Sequence, residues 1–101
     1  MKELKGSQKK YLRGLAHSLK PAALIGQKGL TDSLVAEIDQ ALEALELIKV
    51  KFNEFKEKDQ KKELIEKIAN ATQSNMAGMI GHVAIFYRQN KDPEKQVIKL
   101  P

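Results

Sequence analysis

Between Thr31 and Thr72 the apolar pattern changes period twice, and this restricts the fold more than any composition does. Leu34, Val35, Ile38, Ala41, Leu42 and Leu45 recur at helical spacing, which predicts a helix over about 31–46. Glu37, Asp39, Glu43 and Glu46 are expected on its solvent side. Ile48, Val50 and Phe52 then alternate with Leu47, Lys49 and Lys51, the period-two mark of a half-buried strand. A helical pattern returns from about Asp59 to Thr72, with Leu64, Ile65, Ile68 and Ala69 inward. Its outward charges pair four apart, Lys62 with Glu66 and Glu63 with Lys67, and largely neutralise each other. Helices that bury one stripe on either side of a strand imply an α/β fold.

The flanking sequence extends this order. Leu12, Leu15, Ala16 and Leu19 predict a first helix over 7–20, with Ser7 as its N-cap and Pro21 as its stop. Ala22–Ile25 reads as a short strand. Met76–Ile80 and Val83–Arg88 read as two more, joined by a turn at Gly81-His82. The expectation is a single domain over 1–101, a compact two-layer αβαβαββ arrangement with a four-stranded mixed sheet. Residues 89–101 are expected to form a loosely packed tail.

Charge is segregated along the chain. Residues 1–29 hold seven Lys and Arg against the single acid Glu3, whereas 30–47 hold five acids and no base. A basic side and an acidic side follow, and the basic side is the footprint of a polyanion binder. The chain has no cysteine, so disulfides, thiolate nucleophiles and zinc–thiolate sites are excluded. No apolar stretch approaches the roughly 20 residues of a membrane-spanning helix. The expectation is a cytoplasmic monomer that does not engage a membrane.

Gly26-Gln27-Lys28-Gly29 lies between the first strand and the helix beginning near Thr31. Two glycines three apart let backbone approach a ligand closely, and the following helix directs its positive dipole end to the same place. Lys28 adds a mobile cation. This is how a GXXG loop holds the backbone of single-stranded RNA. Gly78-Met79-Ile80-Gly81 has the same spacing but lies in an apolar strand region without a base. Lys9, Arg13, His17 and Lys20 follow at steps of four, four and three, one stripe of the first helix, with Lys10 beside it. His17 and His82 stand apart with no motif around them. No nucleophile motif, Walker sequence or metal-ligand spacing is present, so neither enzymatic activity nor a cofactor or metal is expected.

Leu12–Phe52 and Met79–Arg88 together resemble the CRM domain in its bacterial stand-alone form, the YhbY-like RNA-binding proteins. The resemblance runs from about Ser7 to Arg88. It is carried by Ala16-His17 with Leu19-Lys20-Pro21, the Gly26–Gly29 loop, Glu46-Leu47-Ile48-Lys49-Val50-Lys51 and Phe86-Tyr87-Arg88. It implies a fold similar to the C-terminal domain of bacterial translation initiation factor three. It also implies association with ribosomal RNA of precursor large ribosomal subunits. The RNA contacts it implies are Gly26, Gln27, Lys28 and Gly29, with the basic positions Lys20, Arg13 and Lys9 beside them; Lys10 is a further candidate cation by charge. The sequence departs from the bacterial pattern at Glu43-Ala44-Leu45, where a histidine commonly stands, and in its loop between Asn53 and Lys62. A competing expectation is a protein–protein adaptor that docks on the ribosome through the acidic helix 31–46.

Overall fold

Alternation in the strands sets the architecture. The computed structural model describes residues 3–101. Its strands are β1 (Ala23–Ile25), β2 (Leu47–Phe52), β3 (Asn75–Ile80) and β4 (Val83–Tyr87), in one sheet ordered β1-β2-β4-β3. β1 and β2 run parallel, and the other pairs are antiparallel. The helices are α1 (Gly6–Ala16), α2 (Asp32–Leu45) and α3 (Lys58–Thr72), with a short 3₁₀ turn at Pro93–Lys95. The expected element order and mixed four-stranded sheet are therefore present.

The expected two layers become three. Ile25, Val50, Phe52, Ala84 and Phe86 point to one face and pack with Ile38 and Leu42 of α2 and Ile65 and Ile68 of α3. Leu47, Ile85 and Tyr87 point to the other face, where Leu12 and Ala16 of α1 cover them. Because β2 and β4 carry apolar residues on both faces, both faces need a helix layer. The sheet thus separates basic α1 from acidic α2.

Three local expectations change. The first helix ends at Ala16 rather than near Lys20. Lys49 of β2 donates from Nζ to the carbonyls of His17 (3.2 Å) and Leu19 (3.0 Å), satisfying groups that lie beyond the helix end. Glu46, expected in solvent, is fully buried. It leaves α2 at φ 63°. Its carboxylate accepts from the backbone N–H groups of Asn90 (2.6 Å), Val97 (2.7 Å) and Ile98 (2.9 Å). Residues 89–101, read as a loosely packed tail, are held at these points, and Ile98 and Leu100 pack on the α1-side core. Most side chains between Lys91 and Val97 remain exposed.

Candidate nucleic-acid interface

The glycine loop sits where β1 hands the chain to α2. Gly29 donates its backbone N–H to the Gly26 carbonyl at 3.0 Å, closing a four-residue turn with Gln27 and Lys28 exposed at its tip. Gly29 has φ +69°, in the left-handed region that favours glycine, and an added Cβ would lie 3.4 Å from the Phe55 ring. Thr31 follows as the N-cap of α2, its hydroxyl accepting from the Leu34 N–H at 3.1 Å. The Ile25 carbonyl, just before the turn, accepts from Asn53 N (3.0 Å) and Glu54 N (3.2 Å). These bonds fasten the turn to the loop that leaves β2.

The same end of the sheet carries the β3–β4 hairpin. Phe52 N donates to the His82 carbonyl at 2.8 Å. Lys61 of α3 donates from Nζ to the Gly81 carbonyl at 3.2 Å, and its Nζ lies 3.3 Å from His82 Nδ1. His82 is thus a hairpin-tip side chain beside a lysine.

The eight residues singled out from the sequence do not form one cluster. Gly26, Gln27, Lys28 and Gly29 form the turn. Lys20 is exposed in the segment that enters β1, at the opposite end of that strand from the turn. Lys9 and Lys10 lie on α1, half-buried and exposed respectively. Arg13 is half-buried and donates from Nη1 to the Ala77 carbonyl at 3.2 Å. Its stem runs over Gly78, where any Cβ would stand 2.4 Å from Arg13 Cδ. The helical stripe Lys9–Arg13–His17–Lys20 is therefore broken, because the helix stops at Ala16.

The second glycine pair belongs to a strand. Gly78 gives Arg13 room to cross β3, and Gly81 opens the two-residue hairpin.

Sequence reasoning missed Leu24, Lys51, Val83 and Ile80. These four lie in register across the sheet, Leu24 opposite Lys51, Lys51 opposite Val83 and Val83 opposite Ile80. Alternation was the available signal, since Ala23, Ile25, Val50 and Phe52 face the other core.

One charged cluster elsewhere on the surface is satisfied within the fold. Arg88 donates to Asp39 Oδ1 at 2.6 Å and to the Thr72 carbonyl at 2.8 Å, and lies 3.8 Å from Glu43. Two acids of the acidic helix are thereby engaged within the fold. Next to them Tyr87 is buried, with no hydrogen-bond partner for its hydroxyl among the described residues. Burial, followed by the nearby Glu46 carboxylate, pushes the Tyr87 phenol above its ordinary 10.0. An open cavity of about 800 Å³ lies here, lined by Asp39, Glu43, Tyr87 and Arg88 among others. Among the described residues no group of three or more His, Cys, Asp or Glu side chains could hold a metal ion. No described helix is long and apolar enough to cross a membrane.

Known proteins share this sequence and fold. A protein of Haemophilus influenzae named as RNA-binding is 37% identical over 97 residues, which cover 96% of this chain and 97% of that one. The probable RNA-binding protein YqeI of Bacillus subtilis is 37% identical over 98 residues, covering 97% of this chain and 99% of YqeI. The solution structure of a Staphylococcus aureus protein, presented as a candidate RNA-binding protein, superposes with a TM-score of 0.82 at 40% identity. That match covers 98% of this chain and all of the other. Residues 4–88 match the model of the CRS1/YhbY (CRM) domain. With that match across most of its length, this chain belongs to the CRS1/YhbY (CRM) domain family.

Proposed function

We propose that this protein binds RNA without chemically altering it, and that its target is ribosomal RNA of precursor large ribosomal subunits in the cytoplasm. The observation that carries the reading is the Gly26–Gly29 turn, closed by its own hydrogen bond and exposing Gln27 and Lys28. A turn without Cβ atoms at either end admits a phosphate to backbone N–H groups, and Lys28 supplies the counter-charge. Lys20, Lys9 and Lys10 extend the positive field on the α1 side. Arg13 contributes charge from a fixed position over β3. The names of the bacterial relatives support RNA as the partner. Docking through the acidic helix is the weaker reading, because Asp39 and Glu43 are occupied by Arg88.

The test is ultraviolet crosslinking in cell extract, with identification of both the RNA and the crosslinked residue. Precursor large-subunit RNA attached within residues 26–29 is the expected result. Crosslinks confined to the α2 surface, or to unrelated RNA, would overturn the proposal. Titration adds a quantitative arm. About four phosphate contacts give a log–log salt slope of about −3 for a single strand, and Lys28→Ala makes it shallower by about 0.7. The same variant weakens binding about fivefold and leaves the melting temperature unchanged.

A further inference from the structure

The face of the sheet covered by α1 is not covered to its end. α1 shields Leu47, Ala77, Ile85 and Tyr87, and the row nearest the glycine turn lies beyond it. That row is Leu24, Lys51, Val83 and Ile80, which strand spacing spreads over about 14 Å. Leu24 and Ile80 are 52% and 56% exposed, at opposite ends of the row. Lys51 between them is exposed and has no ion-pair partner among the described residues. Further along the sheet, Lys49 closes the row against the end of α1 through the His17 and Leu19 carbonyls.

An exposed apolar strip on an otherwise well-packed sheet needs an occupant. Two features identify it. The strip is continuous with the turn, since Leu24 stands two residues before Gly26 on the same chain. It is also electrostatically one-sided: the four strands together hold two lysines and no acidic residue. An apolar strip whose own strands carry only positive charge suits a molecule with flat apolar faces joined by negative links. A second copy of this chain would bring another such surface, lysine against lysine.

We propose that Leu24, Val83 and Ile80, with the stem of Lys51, form a seat for unstacked bases of a single-stranded RNA whose phosphates lie on the Gly26–Gly29 turn. This rests on the RNA-binding reading above and adds to it a second subsite, one for the bases. Base faces pack on the aliphatic side chains, while the Lys51 ammonium reaches the phosphate between two seated bases. Such a seat is tolerant of sequence, because every base has an apolar face.

The test uses two fluorescent probes of equal length, a mixed-sequence single-stranded RNA and an abasic ribose-phosphate oligomer, titrated by anisotropy. The parent protein is expected to bind the base-bearing probe about tenfold more tightly than the abasic one. The double variant Leu24→Ser/Ile80→Ser removes that preference and leaves affinity for the abasic probe and its salt slope unchanged. Methyl resonances of Leu24 and Ile80 in the parent move with the base-bearing probe only, which keeps the test open should the variant fold poorly. Equal binding of both probes by the parent overturns the seat and leaves the phosphate-binding turn intact. Binding of neither probe defeats the RNA reading, and the seat with it. A dimer in sedimentation that the double variant abolishes, with the base preference retained, assigns the strip to a second copy and also overturns the proposal.

Discussion

The two ends of the sheet are both rich in charge, and they use it in opposite ways. At the end where α2 and β4 finish, Glu46 is surrounded by three backbone donors and Arg88 is engaged by Asp39 and Thr72. At the end where β1 and β2 finish, Lys28 and Lys51 are exposed without an ion-pair partner among the described residues. Charge answered inside the fold maintains shape, and charge left unanswered is available to a ligand. Counting acids and bases along a sequence cannot tell these two states apart.

The largest effect expected from breaking the contrast is at Glu46. Glu46→Ala strips the acceptor from three backbone N–H groups and costs about 3 kcal/mol of folding stability. Denaturant titration measures this, and a loss below about 1 kcal/mol would mean that the carboxylate is incidental. Gly29→Asp is expected to cost about 1.5 kcal/mol, because its φ of +69° disfavours a side chain. It also reduces RNA affinity more than Lys28→Ala does, since it sets a negative charge beside the phosphate position. Paired melts and binding titrations separate the two losses. A Gly29→Asp protein that folds and binds like the parent would make the turn purely structural.

The smallest effect is a gain. Tyr87→Phe removes a buried hydroxyl that has no partner among the described residues, and is expected to stabilise by about 1 kcal/mol. Its pH behaviour sharpens the comparison. Because burial and then Glu46 raise the folded phenol above its ordinary 10.0, its titration leaves stability unchanged below that pH and lowers it as pH rises past it. The phenylalanine variant should lack this part of the alkaline decline in melting temperature. Identical alkaline limbs for the two proteins would show that Tyr87 is not the group responsible.

What the sequence made legible was local. β2 has the anticipated limits Leu47–Phe52, because its alternation spans the whole element. Thr31 caps α2, as a residue of its kind before an apolar periodic run should. The glycine turn was visible because its two glycines and one lysine are contiguous. What stayed hidden depended on partners distant in sequence. Leu19 continues the helical spacing of α1, yet the helix ends at Ala16, and the His17 and Leu19 carbonyls beyond that end are met by Lys49, some 30 residues on. Glu46 looks like one more acid on an acidic helix until residues 90, 97 and 98 arrive with their N–H groups. Arg13 looked like a ligand-facing cation, and its tie to the Ala77 carbonyl comes from 64 residues away. The third layer was hidden for a related reason: Leu47, Lys49 and Lys51 read as the outer face of β2, although Leu47 lies beneath α1.

The division of the apolar residues into two separate cores has a consequence for motion. The larger joins α2, α3 and the inner face of the sheet, and the smaller joins α1 to Leu47, Ala77, Ile85, Tyr87 and the last residues of the chain. Elements resting on a small core open at lower free energy than those resting on a large one. α1 is thus expected to open before α2 and α3, whereas the C-terminal segment is also fastened to the end of α2 through Glu46. Lys9 and Lys10 ride on α1. The glycine turn does not, for it is rooted in β1 and α2. Partial opening would therefore scatter the outlying cations and leave the turn itself in shape, so that RNA could be held at one point while the remaining contacts come and go.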